Sequence, residues 1–122
     1  MQDISDEQFQ QLIDKAFESL PQAHRDRVQN VAILFADAPD PQQRAEVALQ
    51  PNQTLLGLYQ GVPLSQRQGR EPLLPDRITL FKYPLLAAAH DTGDLYDTIR
   101  HTLWHEIAHY YGLNHDQIHE LE

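Results

Sequence analysis

The run from Asp94 to Tyr111 contains neither glycine nor proline, and Leu95, Ile99, Leu103 and Ile107 recur in it at every fourth position. That spacing returns to one side of an α-helix, so the segment is predicted to form a single helix of about 27 Å at 1.5 Å per residue. Gly112 follows as its stop, because glycine adopts the left-handed conformation that closes a last turn. An apolar stripe of this length must be covered by other elements.

The rest of the chain supplies them. Ser5-Asp6-Glu7-Gln8 fits a capping box, and Phe9, Leu12, Ile13, Ala16, Phe17 and Leu20 continue at helical spacing until Pro21. Within residues 28–37, Val31 to Ala36 is a short apolar run bounded by Asn30 and Pro39, read as a buried strand. Residues 41–49 suit a short helix, and 55–62 a second strand interrupted by Gly57 and Gly61. The polar stretch 63–76, with Pro63, Gly69, Pro72 and Pro75, reads as loop. Arg77 to Lys82 then alternates polar with apolar residues and stops before Pro84, the pattern of a half-exposed strand able to lie at a sheet edge. This succession predicts an α/β (α+β) fold with a small sheet, an N-terminal packing helix and a long helix near the C-terminus. At 122 residues it is the size of one domain, expected to span 1–122.

Composition narrows the chemistry. There is no cysteine, so disulfides, thiolate-bound metal and thiol nucleophiles are excluded, and any metal must sit on histidine or a carboxylate. A formal charge of −9 would repel a phosphate backbone, so nucleic acid is not an expected partner. No apolar run approaches the roughly 20 residues of a membrane span. The acidic, polar opening Met1-Gln2-Asp3-Ile4-Ser5 lacks the pattern of a secretory signal, and a cytoplasmic location is expected.

Inside the predicted helix the sequence reads His105-Glu106-Ile107-Ala108-His109-Tyr110-Tyr111-Gly112-Leu113-Asn114-His115, an unbroken H-E-x-x-H-x-x-G-x-x-H. H-E-x-x-H alone arises by chance in roughly one chain per hundred of this length, and the longer string is on the order of a thousandfold rarer. Residues four apart share a helix face, so His105 and His109 can point at one ion, while a positive φ at Gly112 would swing His115 back toward it. Three protein ligands leave a tetrahedral zinc ion (Zn2+) one open position, the arrangement of catalytic rather than structural sites. Glu106, beside a ligand, is placed to take a proton from water and pass it to a leaving amine. Imidazole ligands also suit nickel, copper and iron.

Other residues fit plainer roles. Trp104 and Ile107 are expected to pack the helix against the sheet. His101, one turn before His105, is left outside the site, and His24, His90 and His119 lack a partner at ligand spacing. Asp116 would orient an imidazole, serve as an oxygen ligand or cap a last segment. Tyr83, Tyr110 and Tyr111 are candidates for stabilising an oxyanion.

The metal motif matches that of metzincin peptidases, and the wider pattern resembles a family of minimal zincin-like metallopeptidases from bacteria. That resemblance rests also on Leu58-Tyr59-Gln60-Gly61-Val62-Pro63-Leu64 and on Pro75-Asp76-Arg77-Ile78-Thr79-Leu80-Phe81, which stand in order before the metal motif. The methionine turn of true metzincins is not expected, since the sole methionine is Met1. The resemblance implies a compact zincin-like domain with a small mixed sheet and the metal helix backing a cleft. It implies a zinc metallopeptidase acting on a peptide or protein substrate, with residues 78–82 as the strand along which the peptide aligns. A metal-binding peptide-interaction module without turnover is the alternative, and Glu106 argues against it, because binding alone needs no carboxylate beside the first ligand.

Overall fold

Residues 1–28, 31–61 and 76–112 are described by the computed structural model. Helix α1 (Asp6–Glu18) begins with the predicted capping box: the Ser5 hydroxyl accepts from the Gln8 N–H while the Gln8 side chain accepts from the Ser5 N–H. These two bonds satisfy amides that have no partner inside the helix. Pro21 then does more than end a helix. It stands at the N-cap of a second, unforeseen one, α2 (Gln22–Arg27), where a missing N–H costs nothing.

Strand β1 (Val31–Ala36) leads to α3 (Pro41–Glu46), which Asp40 and Gln43 cap reciprocally. This helix is shorter than expected, because Ala48 turns into the left-handed region at φ 54°. Next come β2 (Gly57–Gln60), β3 (Asp76–Phe81), α4 (Lys82–Ala88) and α5 (Thr92–Tyr110). The expected loop 63–76 lies outside the described residues except for Asp76, which opens β3. Among the described residues no helix is long and apolar enough to cross a membrane.

The strands form one mixed sheet in the order β1-β3-β2, with β1 parallel and β2 antiparallel to β3. Ile33 lies beside Ile78 and Phe35 beside Leu80, while Tyr59 and Gly57 face the same two β3 residues from the other side. The mixed α/β architecture, with its N-terminal helix and long final helix, is therefore as expected.

Two strand assignments need correction. The apolar run of β1 is not a buried strand but a half-buried edge, with Leu34 45% exposed. Conversely β3, read as a half-exposed edge, is the central strand, and of its six residues only Arg77 is exposed. Thr79 is buried although it is polar, because β3 has a strand on either side. Lys82 belongs to α4 rather than to the strand. Its buried ammonium lies 2.9 Å from Asp6 and 3.4 Å from Asp3, so carboxylates at and just before the start of α1 neutralise it. Pro84 sits two residues later in the first turn of α4, where no intrahelical N–H is required.

The core lies between the sheet and the helices. Leu95, Ile99, Leu103 and Ile107 of α5 are fully buried together with Phe9 and Ile13 of α1, Ile78 and Leu80 of β3 and Leu85 of α4. Each large side chain so buried contributes about 1.5–3 kcal/mol. The Phe9 ring meets that of Phe35 edge-on, with centroids 5.1 Å apart, which ties α1 to the outer strand β1.

Candidate metal centre

Helix α5 is anchored before it carries any chemistry. The Asp91 carboxylate accepts from the Asp94 N–H at 2.8 Å, a side-chain cap placed just ahead of the predicted start, and Asp94 accepts from the His90 N–H at 2.8 Å. Burial of the four-residue apolar stripe then fixes how the helix is rotated about its axis. Advancing four residues turns the helix by about 40°, so His105 and His109 stand one above the other on a flank of the buried face. Both are half-buried, and Glu106 between them points inward at 5% exposure.

The two imidazole rings lie with centroids 4.7 Å apart and their planes at 75°. One ligand atom each from His105, Glu106 and His109 fall within 4.8 Å of one another, the group among the described residues that is able to hold a metal ion. The Glu106 Oε1 atom lies 3.0 Å from His109 Nδ1 and accepts a hydrogen bond from the Tyr59 N–H, also at 3.0 Å. An ionised carboxylate only accepts, so the contact is made by a His109 Nδ1–H donor, and in the neutral ring of that tautomer Nε2 keeps a lone pair. The hydrogen bond to Glu106 holds the His109 imidazole above its usual range, against the opposing effect of burial.

Comparison with known proteins agrees with this geometry. Residues 28–122 match the profile of the zincin-like metallopeptidases. The chain belongs to that family. No curated protein matches it. A solved structure described as a conserved hypothetical protein from Thermo thermophilus is similar in fold, with a TM-score of 0.57 and 18% identity over 88% of this chain and 94% of that one.

The zincin-like family implies a bound metal, and the donors brought together here fit one. Two imidazoles one turn apart, with no thiolate, suit zinc or another divalent ion of similar softness, and the Glu106 carboxylate stands beside them. Gly112, at φ 85°, makes the left-handed turn predicted for it, and its N–H donates to the His109 carbonyl at 2.8 Å. His115, the third ligand read from the motif, lies beyond the described residues, as do Asp116 and His119. His90 and His101 are exposed, and neither joins the metal group. Trp104 is half-buried against the core, and its ring lies 4.8 Å from that of His24 in α2.

The tyrosines separate clearly. Tyr83 donates to Asp3, and Tyr111 donates to the His24 carbonyl at 3.1 Å, so both hydroxyls are engaged away from the histidine pair. Tyr110 is buried, with its ring 6.1 Å from that of Tyr59. Among the described residues Tyr59 reaches the centre from elsewhere in the fold, through its main chain. No side-chain motif announces a backbone donor. The only sequence signal is its place in the Leu58-Tyr59-Gln60-Gly61 stretch.

Proposed function

We propose that this protein is a zinc-dependent peptidase in which His105, His109 and His115 hold the ion and Glu106 is the general base and then the general acid. The observation that carries this reading is the convergence of both helix imidazoles with the Glu106 carboxylate on one flank of α5. When bound, the ion supplies the Lewis acidity that polarises a carbonyl and acidifies water. His109, with its proton on Nδ1 directed at Glu106, presents Nε2 for ligation. Oε1 of Glu106 already takes two contacts, which leaves Oε2 to accept the proton of the attacking water and return it to the leaving amine.

The peptide rail expected from sequence moves with the corrected topology. Residues 78–82 are not available for strand addition, since β3 has partners on both sides. The sheet edge next to Glu106 is β2, so a peptide reaching Glu106 would lie beside that strand. The substrate is a peptide or protein segment, and a cytoplasmic setting suits the reading without being needed for it.

Profiling a peptide library with the zinc-loaded parent beside Glu106→Gln and His109→Ala tests the assignment. Glu106→Gln keeps shape and most metal affinity but does not accept the proton, so kcat should fall by about 10² to 10⁴ at equal zinc content. His109→Ala should lose the metal itself. Equal cleavage by Glu106→Gln and parent at equal zinc sinks the mechanism, and peptide binding without turnover by either makes the protein a peptide-interaction module.

A further inference from the structure

A chain of three hydrogen bonds runs from the two sequence stretches behind the family resemblance into the metal helix. The Tyr59 hydroxyl donates to Asp76 Oδ2 at 2.6 Å, the Tyr59 N–H donates to Glu106 Oε1 at 3.0 Å, and the same oxygen lies 3.0 Å from His109 Nδ1. Both carboxylates are buried, Asp76 at 2% and Glu106 at 5% exposure. A buried carboxylate without donors is costly, so these contacts are among those that permit each to sit where it does.

The direction of the Tyr59 amide follows from the ladder. Alternate residues of an antiparallel strand turn their N–H and C=O toward the partner and away from it. The Leu56 carbonyl accepts from Phe81 of β3, so the amide of Tyr59, three residues on, faces outward, over α5. Two glycines let the chain here come close to its neighbours. A Cβ at Gly57 would lie 2.8 Å from Thr102 Cγ2 and 3.4 Å from Glu106 Cγ, so only glycine lets the backbone of β2 settle on α5 without displacing a neighbour. A Cβ at Gly61, where φ is +152°, would run into the Asp76 carboxyl.

We propose that Tyr59, fixed through its hydroxyl on Asp76, is a positioning residue for Glu106, its backbone N–H selecting Oε1 for the protein and Oε2 for the substrate. This rests on the reading of Glu106 as the proton carrier. The end of a glutamate side chain rotates in a broad, two-fold well, so without a fixed donor the two oxygens exchange roles. A four-residue edge strand frays readily, and an amide on it fixes nothing unless the residue is held elsewhere. The Asp76 bond provides that hold. Because Glu106 in turn contacts His109, loosening Tyr59 also loosens a metal-ligating imidazole.

Amide hydrogen exchange at residues 58 and 59 of the ¹⁵N-labelled, full-length, zinc-loaded chain tests this, together with Zn2+ affinity measured against a competing chelator. In the parent, amide 59 should be protected despite facing outward, and Glu106→Ala should abolish that protection. Tyr59→Phe and Asp76→Asn should each lower protection at 59 about tenfold more than at 58, and weaken zinc binding by about 10-fold or more. Ile13→Val, a core change in α1, controls for general destabilisation and should leave the ratio of the two protections unchanged. Amide 59 exchanging in the parent like an open amide overturns the proposal. So does an unchanged ratio, or an unchanged zinc affinity, in both Tyr59→Phe and Asp76→Asn. These readouts do not involve turnover, so failure of the peptidase reading in the Glu106→Gln comparison is seen separately.

Discussion

Strands β1 and β3 lie side by side in one sheet, yet their sequences suggest the opposite of their places in it. Val31-Ala32-Ile33-Leu34-Phe35-Ala36 is wholly apolar and forms an outer, half-buried strand. Asp76-Arg77-Ile78-Thr79-Leu80-Phe81 holds three polar residues and is the central, buried one. Burial of a strand is set by what stands on either side of it and over its faces, and none of that is encoded in its own alternation. β2 adds a third case. It is an edge by hydrogen bonding but lies close on α5 through Gly57.

The largest effect that should separate the strands is at the centre. Leu80 is fully buried between β1, β2 and α5, so Leu80→Ala should cost about 2–5 kcal/mol in denaturant unfolding. A cost under about 1 kcal/mol would break the comparison, since β3 would then tolerate truncation as an edge does. A smaller loss is expected at the covered edge. Gly57→Ala places a methyl against Thr102 and Glu106 and should destabilise by about 1–3 kcal/mol, read as a drop in melting temperature. A neutral result would mean that β2 is as loosely held as its hydrogen-bonding position suggests. The smallest effect belongs to the open edge. Leu34, 45% exposed, should accept threonine within about 0.5 kcal/mol, because the β-branched threonine favours a strand and little apolar contact is lost. A large loss there would show that something covers β1.

The helices are far more legible than the sheet. Capping of α1 by Ser5 and Gln8, the buried stripe of α5 and the turn at Gly112 all follow from signals within a few residues of one another. Where local signals are weak or ambiguous, the pattern misleads. Pro21 reads only as a stop although it also begins α2, and Lys82 reads as the end of a half-exposed strand although Asp3 and Asp6, distant in sequence, neutralise it where it is buried.

The same division runs through the candidate metal centre. Sequence by itself determined that His105, Glu106 and His109 share one helical turn and that glycine follows where the chain must bend, because helix period and glycine's freedom at positive φ are local properties. Only the tertiary structure decided that Glu106 is buried, that its Oε1 is held by the amide of Tyr59, and that Asp76 anchors Tyr59 in turn. Those contacts join residues 47 and 17 positions apart. They depend on which strand lies at the edge over α5, and that choice is made by the packing of the whole sheet rather than by the pattern of any one strand.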